Sequence, residues 1–400
     1  MNHDTDFKSH DGGWAGLPLP DAVAQAHSAR LQRVIAEEMA NRGGRLSFAR
    51  FMELALYAPG LGYYSGGSPK LGAEGDFMTA PEWSPLFSRC LARQAAQVLV
   101  ALGGGDMLEV GGGSGVMAAD ILGSLLADDC LPRRYYILEL SADLRDRQQV
   151  LLKKRLPHIQ DRIIWLERLP EPGFRGVIVA NELLDALPVH CFTITEGGAA
   201  ELYVERRDEQ WSWCQGEPSR AELSERIDGL QQGENLPVGY ISEINLAAEA
   251  WVASMSDILT AGMLLLVDYG FPRREYYHPQ RNSGTLMCHY RHRAHGDPFI
   301  LVGLQDITAH VEFTALAETA HAAGMRVAGY TTQAAFLLAQ GITGFMSEAD
   351  DELTRLEWAQ QIKKLTMPHE MGDLFKVLAL TRDFDEPLQG FALRDMRDHL

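Results

Sequence analysis

The chain has 400 residues, 46% of them hydrophobic, and a formal net charge of −18 at pH 7. That is enough apolar material for one large or two modest cores. So acidic a balance excludes general nucleic-acid binding, which needs a basic surface against phosphates, while a basic protein partner, or plain solubility, stays compatible.

The first twenty residues, with Asp4, Asp6 and Asp11 and no apolar run, read as a polar, mobile leader and not as a secretory or transit signal. Residues 21–42 read as a helix, and Ser47–Tyr57 as a second one with Ser47 as its N-cap. Ala58–Tyr64 is a turn rich in glycine and aromatic residues, and Gly75–Glu82 a loop into a third helix over about 84–102. From Asp106 onward apolar strands and helices alternate. Asp106–Val110, Arg134–Leu140, Arg162–Leu166 and Gly176–Asn181 are strand-like, which predicts a parallel sheet wrapped by helices. Residues 189–214 break the pattern with short alternating runs, read as an inserted antiparallel meander. A helix over 242–260 and the strand Gly262–Gly270 resume the alternation; 271–309 reads as a long loop. A helix from 311, a strand near Met325–Tyr330, two helices and a strand at Phe375–Leu380 close the chain. The most apolar strand, Met263–Val267, is far short of the roughly 20 residues a membrane-crossing helix needs, so no membrane insertion is expected. Cys90, Cys130, Cys191, Cys214 and Cys288 are scattered without a C-x-x-C spacing, which indicates neither a disulfide framework nor a metal site. A reducing, cytoplasmic setting is the expectation, and nothing speaks to oligomeric state.

Right-handed crossovers place the loops after parallel strands on one edge, so Glu109–Gly115, Glu139 and Asn181–Asp185 should converge there. Glycines at 111, 113 and 115 permit a tight turn and close ligand approach, and the helix after them offers unpaired N–H groups. A dinucleotide fingerprint would need glycine at 116, where the chain has Val116, which disfavours an oxidoreductase. The E-x-G-x-G-x-G run from Glu109 instead resembles motif I of class I S-adenosylmethionine (SAM) methyltransferases, whose carboxylate sits near the cationic end of the cofactor. Glu139, 28 positions after Gly111, stands where an acid reaches ribose hydroxyls. Trp165 and Leu166 line the adenine or form a core pair. Glu182 and Asp185 sit three apart after the fourth strand. On a helical turn they would point one way and grip a guanidinium, or, with Asn181 as N-cap, merely stabilise a helix start.

Four separated stretches resemble the MidA-like family, whose members include a mitochondrial complex I assembly factor that is a protein arginine methyltransferase. They are Ala55–Tyr64 with Gly75–Glu82; Glu109–Gly115; Ala180–Pro188; and Asp268–Gly270 with Gly284–Leu286, His292 and Gln305–Val311. The resemblance implies an α/β fold: a class I methyltransferase Rossmann-like sheet with an N-terminal helical layer and an inserted antiparallel β meander. Its expected divisions are a leader at 1–20, a helical region at 21–105 packing on the core, and a SAM-binding domain at 106–400 with insertions near 189–240 and 271–310. It implies SAM as cofactor, held by Asp76, Thr79 and Glu82 closing over it together with Glu109, Gly111, Gly113, Gly115 and Glu139. Asn181, Glu182, Asp185 and His292 are the implied catalytic residues, and the loop bearing His292 and Asp306 the border of an acceptor channel. The expected function is methyl transfer to a nitrogen, with an arginine of a protein partner as acceptor. The alternatives are an assembly or chaperone-like binding protein with a structural or vestigial SAM site, and a small-molecule methyltransferase. Gly112 and Ser114 depart from the family's proline and long residue inside motif I, which predicts a looser turn and weaker cofactor affinity.

Overall fold

The alternation that starts at Asp106 builds one mixed eight-stranded sheet in the protein's structure, a computed structural model that describes residues 16–66 and 78–400. The chain divides into two units, one of residues 1–77, 186–247 and 274–310 and the other of 78–185, 248–273 and 311–400. The two insertions expected from sequence thus group with the N-terminal helices up to 57, while the helix at 85–101 belongs to the second unit.

The strands of the second unit are β1 (Asp106–Val110), β2 (Tyr135–Leu138), β3 (Ile163–Leu166), β4 (Phe174–Asn181), β5 (Leu259–Phe271), β6 (Val311–Glu312), β7 (Arg326–Thr332) and β8 (Phe375–Arg382). Their order is β7-β8-β5-β4-β1-β2-β3, with β6 beside the end of β5. Strands β3, β2, β1, β4 and β5 run parallel, and β8 lies antiparallel between β5 and β7. Val177–Ala180 and Met263–Val267 are uninterrupted apolar runs because both faces of the sheet are covered. On one face Met107, Tyr135, Ile137, Val179 and Leu265 pack with Leu91 and Val98 of the helix Pro85–Ala101 and with Ile121 and Leu125 of the helix Val116–Ala127. Ser84 caps the first of these helices by accepting from the Leu86 N–H at 3.2 Å. The sheet grows in opposite directions from β1, so the crevice outside its carboxyl end is the switch point at which open α/β sheets take their ligands.

The first unit holds the helices Ala22–Asn41 and Phe48–Tyr57, capped by Asp21 and Ser47. The expected meander is present as His190–Thr195, Gly198–Arg207 and Gln210–Gly216, extended by edge strands Arg45–Ser47 and Ile241–Ile244. Leu31, Phe48, Phe51, Leu202 and Val204 form its core.

Two expectations are corrected here. The helix read over 242–260 begins only at Leu246, because Ile241–Ile244 pairs with His190–Thr193. The loop read over 271–309 contains the helix Arg273–Tyr276 and a three-stranded antiparallel sheet of Met287–Tyr290, Arg293–His295 and Asp306–Thr308. Its strands are too short to show a period. Most of the expected leader lies outside the described residues. Among the described residues no helix is long and apolar enough to cross a membrane.

Candidate active site

Strand β1 delivers its last residues into a turn where Gly111, Gly113 and Gly115 have φ of +73°, +53° and +85°. These left-handed conformations explain the glycines, because a side chain at each would be strained. Gly115 is the N-cap of the helix Val116–Ala127. The Gly111 N–H donates to the Leu138 carbonyl at 2.9 Å, which fixes the turn to the end of β2. Ser114, the departure inside motif I, donates from Oγ to the Glu82 carboxylate and accepts the Val116 N–H. The turn is therefore tied down by the Ser114 side chain, although Gly112 has none of its own.

Glu109 shares a sheet face with Met107 and is fully buried. Tyr135 donates to its Oε2 at 2.5 Å, and Oε1 has no hydrogen-bond partner among the described residues. Burial pushes this carboxyl up to about 8; the Tyr135 bond opposes the shift and the Glu139 charge adds to it. Glu139, the residue after β2, is almost buried and accepts from the Ser141 N–H at 2.9 Å and from Gln148 Nε2 at 3.3 Å. Burial raises its pKa too, and those donors hold it back. Gln148 also donates to the Gly113 carbonyl at 2.8 Å and accepts the Trp165 indole N–H at 2.9 Å.

At the end of β4 the expected helical turn is absent, a correction to the reading of Asn181 as an N-cap. Glu182 instead has φ +49°, donates its N–H to Val267 of β5 and accepts at Oε1 from the Ala80 N–H and Asn181 Nδ2. The reason lies on β5, where the almost fully buried Asp268 accepts the N–H groups of Leu184 and Asp185 at 2.9 and 3.3 Å and so bends the chain away from a helix. Tyr269 donates its hydroxyl to Asp185 Oδ2 at 2.5 Å. Burial, reinforced by the charges of Asp185 and Glu182, drives the Asp268 carboxyl well above the usual range, against two opposing backbone N–H bonds. Asn181 is nearly buried, and its Oδ1 has no partner among the described residues. The short helix Ala80–Trp83, with Thr79 as N-cap, joins the two halves, since Glu82 bonds the glycine turn and the Ala80 N–H bonds Glu182. Asp76 lies outside the described residues.

The remaining predicted residues belong to the first unit. His292 is exposed on the two-residue turn between Met287–Tyr290 and Arg293–His295, at φ +60°. Asp306 accepts the Tyr64 hydroxyl at 3.0 Å, and Tyr64 stacks on Tyr57 at 5.5 Å. Gly284–Leu286 is a cradle for buried Glu243, which accepts the Thr285 and Leu286 N–H groups, the Thr285 hydroxyl and the Tyr276 hydroxyl. Sequence reasoning assigned no role to Asp268, Tyr269, Gln148, Tyr135 or Glu243. Only Asp268 and Tyr269 had a signal, as part of a family stretch. Among the described residues no group of His, Cys, Asp and Glu could hold a metal ion.

A parallel sheet with a glycine turn at its switch point, a carboxylate at the end of the neighbouring strand and a late antiparallel strand defines a class I methyltransferase fold. The chain belongs to the S-adenosyl-L-methionine-dependent methyltransferase family, whose profile matches residues 90–331. It is 45% identical to a COG1565 superfamily protein from Burkholderia thailandensis crystallised with S-adenosyl-homocysteine, with a TM-score of 0.92 over 96% of this chain and 100% of that one. It is 26% identical to the mitochondrial protein arginine methyltransferase NDUFAF7 of Danio rerio over 88% of each chain, and 27% identical to that of Mus musculus over 84% and 81%. Those names place the relatives in mitochondria and lend nothing to the cytoplasmic expectation. The residues present fit SAM. A buried carboxyl with an orphaned oxygen suits a cationic ligand, and an ordered carboxylate beside a glycine turn suits a ribose.

Proposed function

We propose that this protein transfers the methyl group of SAM to a nitrogen of an arginine side chain on a protein partner. The observation that carries the reading is the group formed by Asn181, Glu182, Asp185 and Asp268 at the ends of β4 and β5, beside the cofactor turn of the same unit. The names of the NDUFAF7 relatives support it.

SAM supplies a methyl group already activated by its sulfonium. What the protein must add is position, with the reacting atoms held about 3–3.5 Å apart and water excluded. Asp185 is oriented by the Tyr269 hydroxyl, and its backbone by Asp268. Its carboxylate accepts guanidinium N–H groups, which fixes the plane of the acceptor and turns one nitrogen toward the methyl group. Glu182, held in its left-handed conformation, supplies the second acceptor. As the nitrogen–carbon bond formed at the expense of the sulfur–methyl bond, leaving S-adenosyl-homocysteine, the nitrogen proton would pass to a carboxylate of this pair. Asp268, whose proton affinity burial has raised, lies directly behind the Asp185 backbone.

The test is transfer of labelled methyl from SAM into a cell lysate, with and without the protein, followed by mass spectrometry. Methylarginine in a protein band is the expected result. Label in a small molecule would move the acceptor class, and SAM binding without transfer would favour an assembly or chaperone-like protein.

A further inference from the structure

The helix Ala142–Arg155 turns three buried residues inward, Leu144, Gln148 and Leu152. Their i, i+4, i+8 spacing makes one apolar stripe, and its middle position holds an amide with no exposed surface. A buried amide at a position that would suit leucine is costly unless its hydrogen bonds are made, and Gln148 makes three. Its Nε2 donates to the Gly113 carbonyl at 2.8 Å and to Glu139 Oε2 at 3.3 Å, and its Oε1 accepts the Trp165 N–H at 2.9 Å. One side chain therefore joins the turn after β1, the carboxylate after β2 and the indole on β3. The turn has closed down onto it, since a Cβ on Gly115 would lie 3.0 Å from Gln148 Cγ and one on Gly112 would lie 3.1 Å from Nε2.

We propose that Gln148 is a positioning residue for the SAM site, a buried clamp that sets the glycine turn, the ribose-side carboxylate and the Trp165 indole in fixed register before the cofactor arrives. Gly113 and Glu139 are the groups expected to meet the cofactor, and Gln148 acts through them. Glu139 accepts this donation at Oε2 and the Ser141 N–H at Oε1, so protein donors fix the carboxylate before any ligand binds. Such preorganisation strengthens binding by removing an ordering cost from the bound state.

The experiment uses the full chain and two variants, titrated calorimetrically with SAM and with S-adenosyl-homocysteine. The emission of Trp165 is isolated by subtracting a Trp165→Phe spectrum. Gln148→Met keeps length and volume but removes all three bonds. Both ligands should bind about 10- to 100-fold more weakly, as expected for losing hydrogen bonds that include one to a charged group, and the Trp165 emission should shift. Gln148→Glu keeps an acceptor for the indole but sets a second carboxylate against Glu139 and the Gly113 carbonyl. Affinity should fall at least as far while the indole signal stays near that of the parent. Affinities within twofold of the parent in both variants would overturn the proposal. So would failure of both variants to fold, which would assign Gln148 to the fold. A parent that binds neither ligand would instead count against the cofactor site itself.

Discussion

Replacing Glu109 by glutamine should stabilise the cofactor-free protein, and by more as the pH rises. The carboxyl is fully buried, and burial lifts its pKa from 4.5 to about 8. A carboxyl raised in the folded state costs nothing below its unfolded pKa, where both states are protonated. The cost then grows between pH 4.5 and 8 as the unfolded chain alone releases its proton. At about 1.4 kcal/mol per pH unit, it is on the order of 3 kcal/mol at pH 7 and about 5 kcal/mol above pH 8. Glu109→Gln keeps the acceptor for the Tyr135 hydroxyl and removes this cost. At roughly 2–4 °C per kcal/mol for a unit of this size, the melting temperature should rise by about 6–12 °C at pH 7, with the two proteins converging near pH 4.5. Thermal melts at pH 5, 7 and 9 read this directly. The same change should cost affinity for cationic SAM more than for neutral S-adenosyl-homocysteine, because the ionised carboxylate compensates a cation. Parallel melting curves across pH, together with equal losses for the two ligands, would refute the reasoning.

Glu182→Gln and Asp185→Asn should leave melting and SAM affinity nearly unchanged but lower methyl transfer roughly tenfold to a hundredfold, the worth of a charge-assisted bond expressed in the transition state. Normal transfer by both, measured with labelled SAM, would remove them from the site. Tyr269→Phe deletes the 2.5 Å bond to Asp185 and should reduce turnover about tenfold at an unchanged SAM dissociation constant; a loss confined to stability would make Tyr269 purely structural. Gly284→Ala should destabilise the first unit by more than about 1–2 kcal/mol, since φ is +77° and the new Cβ would stand 2.0 Å from Glu243 Oε1. Denaturant melts showing a parent-like midpoint would contradict the cradle described for Glu243.

What the sequence revealed and what it hid divide along sequence separation. Asp106–Val110 was legible to the residue because an apolar run meets glycines that only a left-handed turn requires, and Ser47 announced its helix through a local cap. The helix misread over 242–260 had a competing partner about fifty residues away in His190–Thr193, which no local pattern reports. The same held at the active site. Asn181 followed by acids reads as a helix start, but Asp268, 84 residues beyond the Leu184 whose N–H it accepts, imposes the left-handed bend at Glu182. Gln148 stood in a charged helix with nothing to mark it, because its meaning arises only when the ends of three strands come together. Glu109, Glu139 and the glycines at 111, 113 and 115 stood out as candidates because they lie at or just beyond the ends of β1 and β2. Their supports did not, because a support can come from any element that packs nearby.

The most direct test of the central claim, that the glycine turn after β1 is the SAM site of a methyltransferase, is calorimetric titration of the parent and of Gly113→Val with SAM. The parent should bind saturably at one site, and the variant, with a branched side chain forced onto a φ of +53° in the glycine turn, should show no heat of binding while remaining folded. Equal binding by the two proteins, or none by the parent, would contradict the account.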